Sequence, residues 1–205
     1  LDLAGHGRSD LPGKQTIAAY ARDVADFIGE LNLKNVIGLG HSMGGAIMQH
    51  LAWTNPELLD GLILLGTGAR LRVDTKILSA IAADLETAVD LLNQFYWGSQ
   101  PEPRVVAANR QSMLACPAEV LLGDFHACNQ FDLRQHLPEI DLPALVISSS
   151  LDQMTPPKFG EFLTEHLPQA SFVLIEGAGH MMMLEAPDEI AQQVQRFLME
   201  MASGQ

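Results

Sequence analysis

A serine placed between two glycines is the strongest sign of chemistry in this sequence. Residues 40–44 read Gly-His-Ser-Met-Gly, with an apolar run before them and a predicted helix after them. On such a strand-to-helix turn the Ser42 hydroxyl would project above a sheet, and Gly40 and Gly44 would let the backbone pack closely. The amide of Met43 would start the helix, where it can stabilise an oxyanion. We predict a nucleophile; the alternative is a glycine-rich helix start without reactivity.

A serine nucleophile needs a base, and the base needs an acid that orients it. In open α/β sheets, functional groups gather beyond the carboxyl ends of the strands. Asp152 follows a predicted strand at 144–149, whereas Asp141 precedes it, at the opposite end of the sheet. His180 follows a predicted strand at 171–175, within a glycine-rich turn. We therefore predict Asp152 as the acid and His180 as the base.

Five other histidines compete poorly for the role of base. His41 neighbours Ser42 but is expected to point elsewhere on the turn, and His50 lies about two turns into the following helix. Three more lie far from the predicted strand ends, at His126, His136 and His166. No pair of histidines at helical ligand spacing accompanies a carboxylate, so we predict no metal and no cofactor.

The elements that must position these residues alternate between helix and strand. Apolar residues spaced by three and four predict an amphipathic helix over 16–31, and residues 1–3 are interpreted as the end of a strand. Short apolar runs predict buried strands at 36–39, 61–65, 144–149 and 171–175, and helices are predicted at 43–53, 157–166 and 187–201. This alternation indicates an α/β fold with a mostly parallel sheet flanked by helices.

Residues 69–138 break the alternation. Apolar residues from 77 to 96 form one long helical stripe, and two later prolines each begin a further helical segment. No convincing strand is predicted in this range. We therefore predict a helical cap at 69–138, inserted into a core made of residues 1–68 and 139–205.

Composition excludes several classes of protein. The 205 residues include 25 acidic and 12 basic side chains, for a formal charge of −13, which argues against a nucleic-acid binder because that function needs a basic face. With 47% hydrophobic and 18% charged residues, disorder is not expected. Neither a secretory signal pattern nor a long apolar span is visible, so we expect a cytoplasmic protein without membrane contact. Cys116 and Cys128 are interpreted as free thiols, with a single bridge as the alternative.

Taken together, the motifs resemble the α/β-hydrolase fold superfamily, in its capped, esterase-like serine-hydrolase branch. The order Ser42, Asp152, His180 is the nucleophile, acid and histidine order of that fold. Further stretches resemble the loop after its fourth core strand (2–10), its acid loop (152–156) and its histidine loop, with Glu185 and Pro187. The resemblance covers nearly the whole chain. A serine nucleophile disfavours the members that attack with a carboxylate, namely the haloalkane dehalogenases and epoxide hydrolases.

The resemblance also implies missing elements. The family places three strands and a helix, about 50–60 residues, ahead of the loop at 2–10. We expect the chain to lack them and interpret it as a truncated hydrolase, or as one complemented by a partner chain. Met43 would then have no second oxyanion-hole donor, and the strand at 36–39 would form a hydrophobic sheet edge, available for pairing or homo-oligomerisation.

The motifs are compatible with three functions. In the first, Ser42 attacks a small carboxylic ester and an acyl-enzyme forms, which water activated by His180 then hydrolyses. In the second, the same triad serves a carbon–carbon bond hydrolase, a lactonase or a perhydrolase. In the third, the protein binds a small ligand without turnover, because fold alone does not fix function.

Overall fold

A four-stranded sheet forms the centre of the protein. The computed structural model describes residues 1–203. All strands are parallel and lie side by side in chain order: β1 (Ile37–His41), β2 (Gly61–Leu65), β3 (Ala144–Ser149) and β4 (Ala170–Ile175). Every residue of β2 and β3 is buried, as expected for the inner strands of a parallel sheet covered on both faces.

Helices cover both faces of the sheet because the side chains of each strand alternate in direction. The helices are α1 (Ile17–Glu30), α2 (Met43–Thr54), α3 (Thr75–Ala83), α4 (Leu85–Tyr96), α5 (Pro103–Leu114), α6 (Ala118–Gln130), α7 (Pro157–His166), α8 (Met182–Glu185) and α9 (Pro187–Ser203). Leu62 and Leu64 face the core shared with α1, α2 and α7, whereas Ile63 and Leu65 face the core shared with α8 and α9. The predicted α/β class is confirmed.

The predicted strands and helices match the observed ones closely, with two exceptions. Residues 1–3 are irregular, so the predicted strand is wrong there. An extended segment becomes a strand only when a neighbour completes its hydrogen-bond ladder, and residues 1–3 have none. The predicted single stripe over 77–96 is two helices, because Asp84 ends α3 and its carboxylate caps α4 by accepting from the amides of Glu86 and Thr87.

Helices α3 to α6 lie between β2 and β3 in the chain, within the range predicted for the cap. We call residues 69–138 the cap segment; its boundaries stay a prediction. Leu92, Tyr96 and Trp97 form its buried cluster, and Met154 and Met181 pack against it from the loops that follow β3 and β4. The cap segment therefore contacts the carboxyl end of the sheet, where the predicted site residues lie.

Strand β1 is one edge of the sheet, as predicted. Its Leu39 side chain is 53% exposed, which is unusual for a leucine within a strand. Apolar side chains of β1, α1 and α2 line a groove along this edge. No helix within residues 1–203 has the length and apolar character needed to cross a membrane.

Candidate active site

Ser42 occupies a strained turn between β1 and α2. Its backbone has φ 50° and ψ −115°, a left-handed conformation that few residues other than glycine adopt. Two contacts hold it there: the Ser42 amide donates to the carbonyl of Leu65 at 2.9 Å, and the hydroxyl of Thr67 donates to the Ser42 carbonyl at 2.8 Å. The sheet therefore imposes the conformation in which the serine is presented at the carboxyl end of β1.

The glycines around Ser42 differ from the prediction. A Cβ at Gly40 would overlap the backbone of Gly44, so residue 40 must be glycine. A Cβ at Gly44 would meet no other atom of the described residues within 4 Å, so the predicted steric need for glycine there is wrong. The close approach is at Gly45, where a Cβ would lie 2.6 Å from a side-chain carbon of Thr67. Gly44 has space because it lines the groove along the open edge of β1.

The amide of Met43 begins α2, as predicted. Within residues 1–203 this N–H has no hydrogen-bond acceptor, because the first amides of a helix precede its internal ladder. An amide in this position is free to donate to a developing negative charge, and the positive end of the helix dipole adds to the effect. The oxyanion-hole role of Met43 stays a prediction.

Asp152 and His180 are in direct contact, although 28 residues separate them. His180 Nδ1 lies 2.9 Å from Asp152 Oδ2, and each residue is only 4% exposed. A carboxylate can only accept here, so the proton of the neutral imidazole is on Nδ1 and the lone pair is on Nε2. This tautomer lets Nε2 accept a proton from a nucleophile.

Thr155 completes the environment of the Asp152 carboxylate. The amides of Met154 and Thr155 donate to Oδ1 at 2.8 Å each, and the Thr155 hydroxyl lies 2.8 Å from Oδ2. Burial would raise the pKa of Asp152, but the hydrogen bonds from His180 and Thr155 outweigh it and hold that pKa below its ordinary value. The sequence predicts no role for Thr155, and its position three residues after Asp152 is the only local signal of one.

His41 points toward His180, a direction that the sequence left open. Its Nε2 donates to the His180 carbonyl at 2.9 Å, and the two imidazole rings lie 4.6 Å apart between centroids. Burial, together with the neighbouring His180, lowers the pKa of His41 to about 3. His41 is therefore a neutral donor that joins the serine turn to the histidine loop. The direction of a side chain on a strained turn could not be read from spacing alone.

Glu185 fastens the cap segment to the histidine loop. One carboxylate oxygen accepts the amide of Gly98, at the end of α4, and the other accepts the amide of Gly179, each at 2.8 Å. Beside this clamp, the Tyr96 ring lies 5.7 Å from the ring of His180, and burial raises the pKa of the Tyr96 phenol. The position of His180 therefore depends on the cap segment as well as on the sheet.

The three predicted catalytic residues all follow the carboxyl ends of strands, at the same end of the sheet. Asp152 and His180 are hydrogen-bonded, and Ser42 is tied to this pair through its neighbour His41. No hydrogen bond joins the Ser42 hydroxyl to His180 Nε2 among the described residues. Over the same part of the chain, no three His, Cys, Asp or Glu side chains are grouped to hold a metal ion. Chemically, the arrangement offers a serine hydroxyl, a base with a fixed tautomer and a buried acid.

Comparison with known proteins assigns the family. The sequence pattern of the alpha/beta hydrolase family matches residues 1–193. The chain belongs to the alpha/beta hydrolase family. The resemblance inferred from the motifs is confirmed, and the chain is a hydrolase of this type.

Three relatives illustrate the range of the family. A solved thermophilic esterase is 35% identical, with a TM-score of 0.89 over 98% of this chain and 79% of the esterase. The enol-lactonase from Burkholderia xenovorans LB400 is 27% identical, with a TM-score of 0.91 over 97% of this chain and 79% of the lactonase. The "putative carbamate hydrolase RutD" of Agrobacterium fabrum is 26% identical over 211 residues, which are 97% of this chain and 81% of that protein.

Proposed function

We propose that this hydrolase cleaves small carboxylic esters through an acyl-enzyme, with Ser42 as nucleophile, His180 as base and Asp152 as the orienting acid. The observation that carries the proposal is the buried hydrogen bond of 2.9 Å between His180 Nδ1 and Asp152 Oδ2, which leaves Nε2 as the basic nitrogen. The similarity to a solved esterase at 35% identity supports an ester as the substrate.

In the proposed reaction, His180 Nε2 takes the proton of Ser42 as the hydroxyl oxygen attacks the ester carbonyl. The tetrahedral oxyanion accepts a hydrogen bond from the Met43 amide, and His180 returns the proton to the leaving alcohol. A water molecule, deprotonated by His180, then attacks the acyl-serine and releases the acid. Asp152 stays ionised throughout and stabilises the imidazolium, which its lowered pKa favours.

The proposed acyl or alcohol pocket is apolar. Tyr96 of the cap segment packs beside His180, within a cluster that also contains Leu92, Phe125 and Met181. An apolar wall next to the base excludes water and suits an uncharged ester with a short hydrocarbon group.

A serine-directed phosphonate tests the proposal. We expect covalent labelling of Ser42, which intact-mass spectrometry would detect, and hydrolysis of p-nitrophenyl butyrate that falls at least about 10³-fold in Ser42→Ala. Ser112→Ala, at an exposed position of α5, is the matched control and should keep both labelling and turnover. Equal labelling of the wild type and Ser42→Ala would disprove the nucleophile.

A lactone is the second candidate substrate, favoured by the similarity to an enol-lactonase. The same triad opens a cyclic ester, and it also serves carbon–carbon bond hydrolases and perhydrolases. A panel of a short p-nitrophenyl ester, an enol-lactone, a carbamate and a ring-cleavage dienoate separates these options. Turnover of the lactone about a hundredfold faster than that of the open-chain ester would replace our first candidate.

Two further features belong to the proposal. The unpaired edge of β1, with its exposed Leu39, suits the addition of a strand from a second copy or from another chain.

A cytoplasmic location fits the free thiols of Cys116 and Cys128. Alkylation of freshly isolated protein without reductant should modify both thiols.

A further inference from the structure

A second concave site lies where the cap segment joins the core. We call it the hinge groove. It has a volume of about 420 Å³ and is lined chiefly by four cations and two aromatic rings: Arg70, Arg72, Arg134, Lys158, Phe159 and Phe162. Three elements contribute these side chains, namely the segment that enters the cap, the segment that leaves it, and the first turns of α7.

The charge of the hinge groove is opposite to that of the protein. The chain has a formal charge of −13 and only 12 basic residues, yet four of them line this one cavity. Among residues 1–203, no acidic side chain lines it. Asp132 lies beside it and is shared by two of the arginines, at 2.7 Å from Arg134 and 3.5 Å from Arg70. The groove therefore keeps a net charge of about three positive units, which attracts anions.

In the part of the chain that the structure describes, two of the four cations have no carboxylate partner. Within residues 1–203, neither Arg72 nor Lys158 has a carboxylate oxygen within 4.0 Å, and both side chains are exposed. By contrast, Arg110 pairs with Glu86 and Asp90 at the surface of the cap segment. Because a guanidinium can bind a carboxylate or phosphate through two parallel hydrogen bonds, Arg72 is ready to bind such a group.

The remaining walls are apolar. The rings of Phe159 and Phe162 are half-buried, and Phe162 is fixed by stacking on His166 with ring centroids 4.0 Å apart. A groove that only attracted inorganic ions would gain nothing from these rings. Its volume lies within the usual range for small-ligand sites. The occupant that matches both walls has an anionic group and an apolar body.

We propose that the hinge groove binds a small organic anion, a carboxylate or phosphate on an aromatic or short alkyl body. None of the predicted catalytic residues lines it, so it is separate from the candidate active site. The segments that enter and leave the cap already pair here, through the amide of Leu133 and the carbonyl of Ala69 at 2.7 Å. A bound anion bridges these segments to α7 and so restrains the cap segment. The proposal does not depend on the ester substrate.

Titration with four probes tests it: phenyl phosphate, benzoate, inorganic phosphate and benzyl alcohol. We expect saturable binding of phenyl phosphate or benzoate by calorimetry. Inorganic phosphate, which lacks the apolar body, and benzyl alcohol, which lacks the anionic group, should bind more weakly. The amide NMR signals of residues 69–72, 131–134 and 158–162 should shift. Raising the salt concentration should weaken the binding.

A charge-matched pair of variants completes the test. Arg72→Gln/Lys158→Gln should raise the Kd at least about tenfold, because charge-assisted hydrogen bonds are lost. Arg22→Gln/Arg104→Gln removes two exposed cations elsewhere and should change the Kd less than about twofold. The proposal is wrong if both variants weaken binding equally, if no probe saturates at about 10 mM, or if hexaglutamate binds more tightly than phenyl phosphate, which would indicate an acidic protein partner instead.

Discussion

The two halves of the candidate active site are supported very differently. In the histidine half, Asp152 and His180 are almost fully buried, and the Ser149 hydroxyl donates to the carbonyl of Gly179 beside them. In the serine half, Ser42 follows β1, the open edge of the sheet, and one side of its turn borders an apolar groove. The histidine half is held by several buried side-chain hydrogen bonds, whereas the serine turn is held by one hydrogen bond to Leu65 and one from Thr67, beside an open edge of the sheet.

This contrast implies two kinds of sensitivity. Changes in the histidine half should lower activity while the fold persists, because they disturb one proton-transfer geometry. Changes along β1 should affect self-association of the protein more than its catalytic rate, because the edge strand has unpaired backbone groups.

The largest effect is expected at Asp152. Asp152→Asn should lower kcat/KM for an ester by about 10⁴-fold, because the amide favours the wrong tautomer of His180. Asp141→Asn, an exposed carboxylate at the other end of β3, is the control and should keep full activity. Ester hydrolysis and a circular-dichroism melt would be measured together. A wild-type rate in Asp152→Asn would remove this residue from the mechanism.

The next largest effect is expected at the Glu185 clamp. Glu185→Ala should lower kcat by about 10²-fold, because misplacing a catalytic group by about 1 Å has effects of that size. Glu185→Gln keeps one accepting oxygen and should recover part of the loss. Hydrogen exchange at the amides of Gly98 and Gly179 should accelerate in the alanine variant, but not in Glu176→Ala, an exposed control. Unchanged exchange at both amides would show that the carboxylate does not hold the loop.

His41 should make stability depend on pH. Its pKa is about 3 in the folded protein and about 6.5 when unfolded, so between these values only the unfolded chain takes up the proton. Stability should therefore fall as pH decreases from 6.5, by up to about 1.4 kcal/mol per pH unit from this group. The free energy of unfolding, measured by urea denaturation between pH 7 and pH 4, should change less steeply with pH in His41→Gln than in the wild type. Gln111→Ala, an exposed control without a titratable group, should leave the pH dependence of stability unchanged. Equal pH dependence in the wild type and His41→Gln would contradict the role of His41.

The smallest change in folding energy is expected at the open edge. Leu39→Lys should reduce self-association, which light scattering would measure, while stability changes by less than about 0.5 kcal/mol. Leu198→Lys replaces a leucine on α9 that is also exposed and should leave association as it is. If both variants reduce association equally, general hydrophobicity rather than the strand edge is responsible.

Much of the fold and of the candidate active site could be predicted from local sequence patterns. The limits of β2, β3 and α7 match the sequence prediction residue for residue, because apolar runs bounded by turn residues are local signals. The contact between Asp152 and His180 could also be predicted, since the carboxyl ends of parallel strands meet at one edge. The Asp84 cap between α3 and α4 could not, because the apolar stripe continues through the break.

The sequence by itself determined the alternation of strands and helices and the serine turn, and it predicted which residues would be the acid and the base. Each depends on neighbours in the chain or on a rule that holds for every parallel sheet. Only the tertiary structure decided that His41 faces His180, that Glu185 joins the cap segment to the histidine loop, and that four scattered cations share one groove. These are contacts between loops distant in the chain, and the direction of a loop side chain depends on packing that no local pattern encodes.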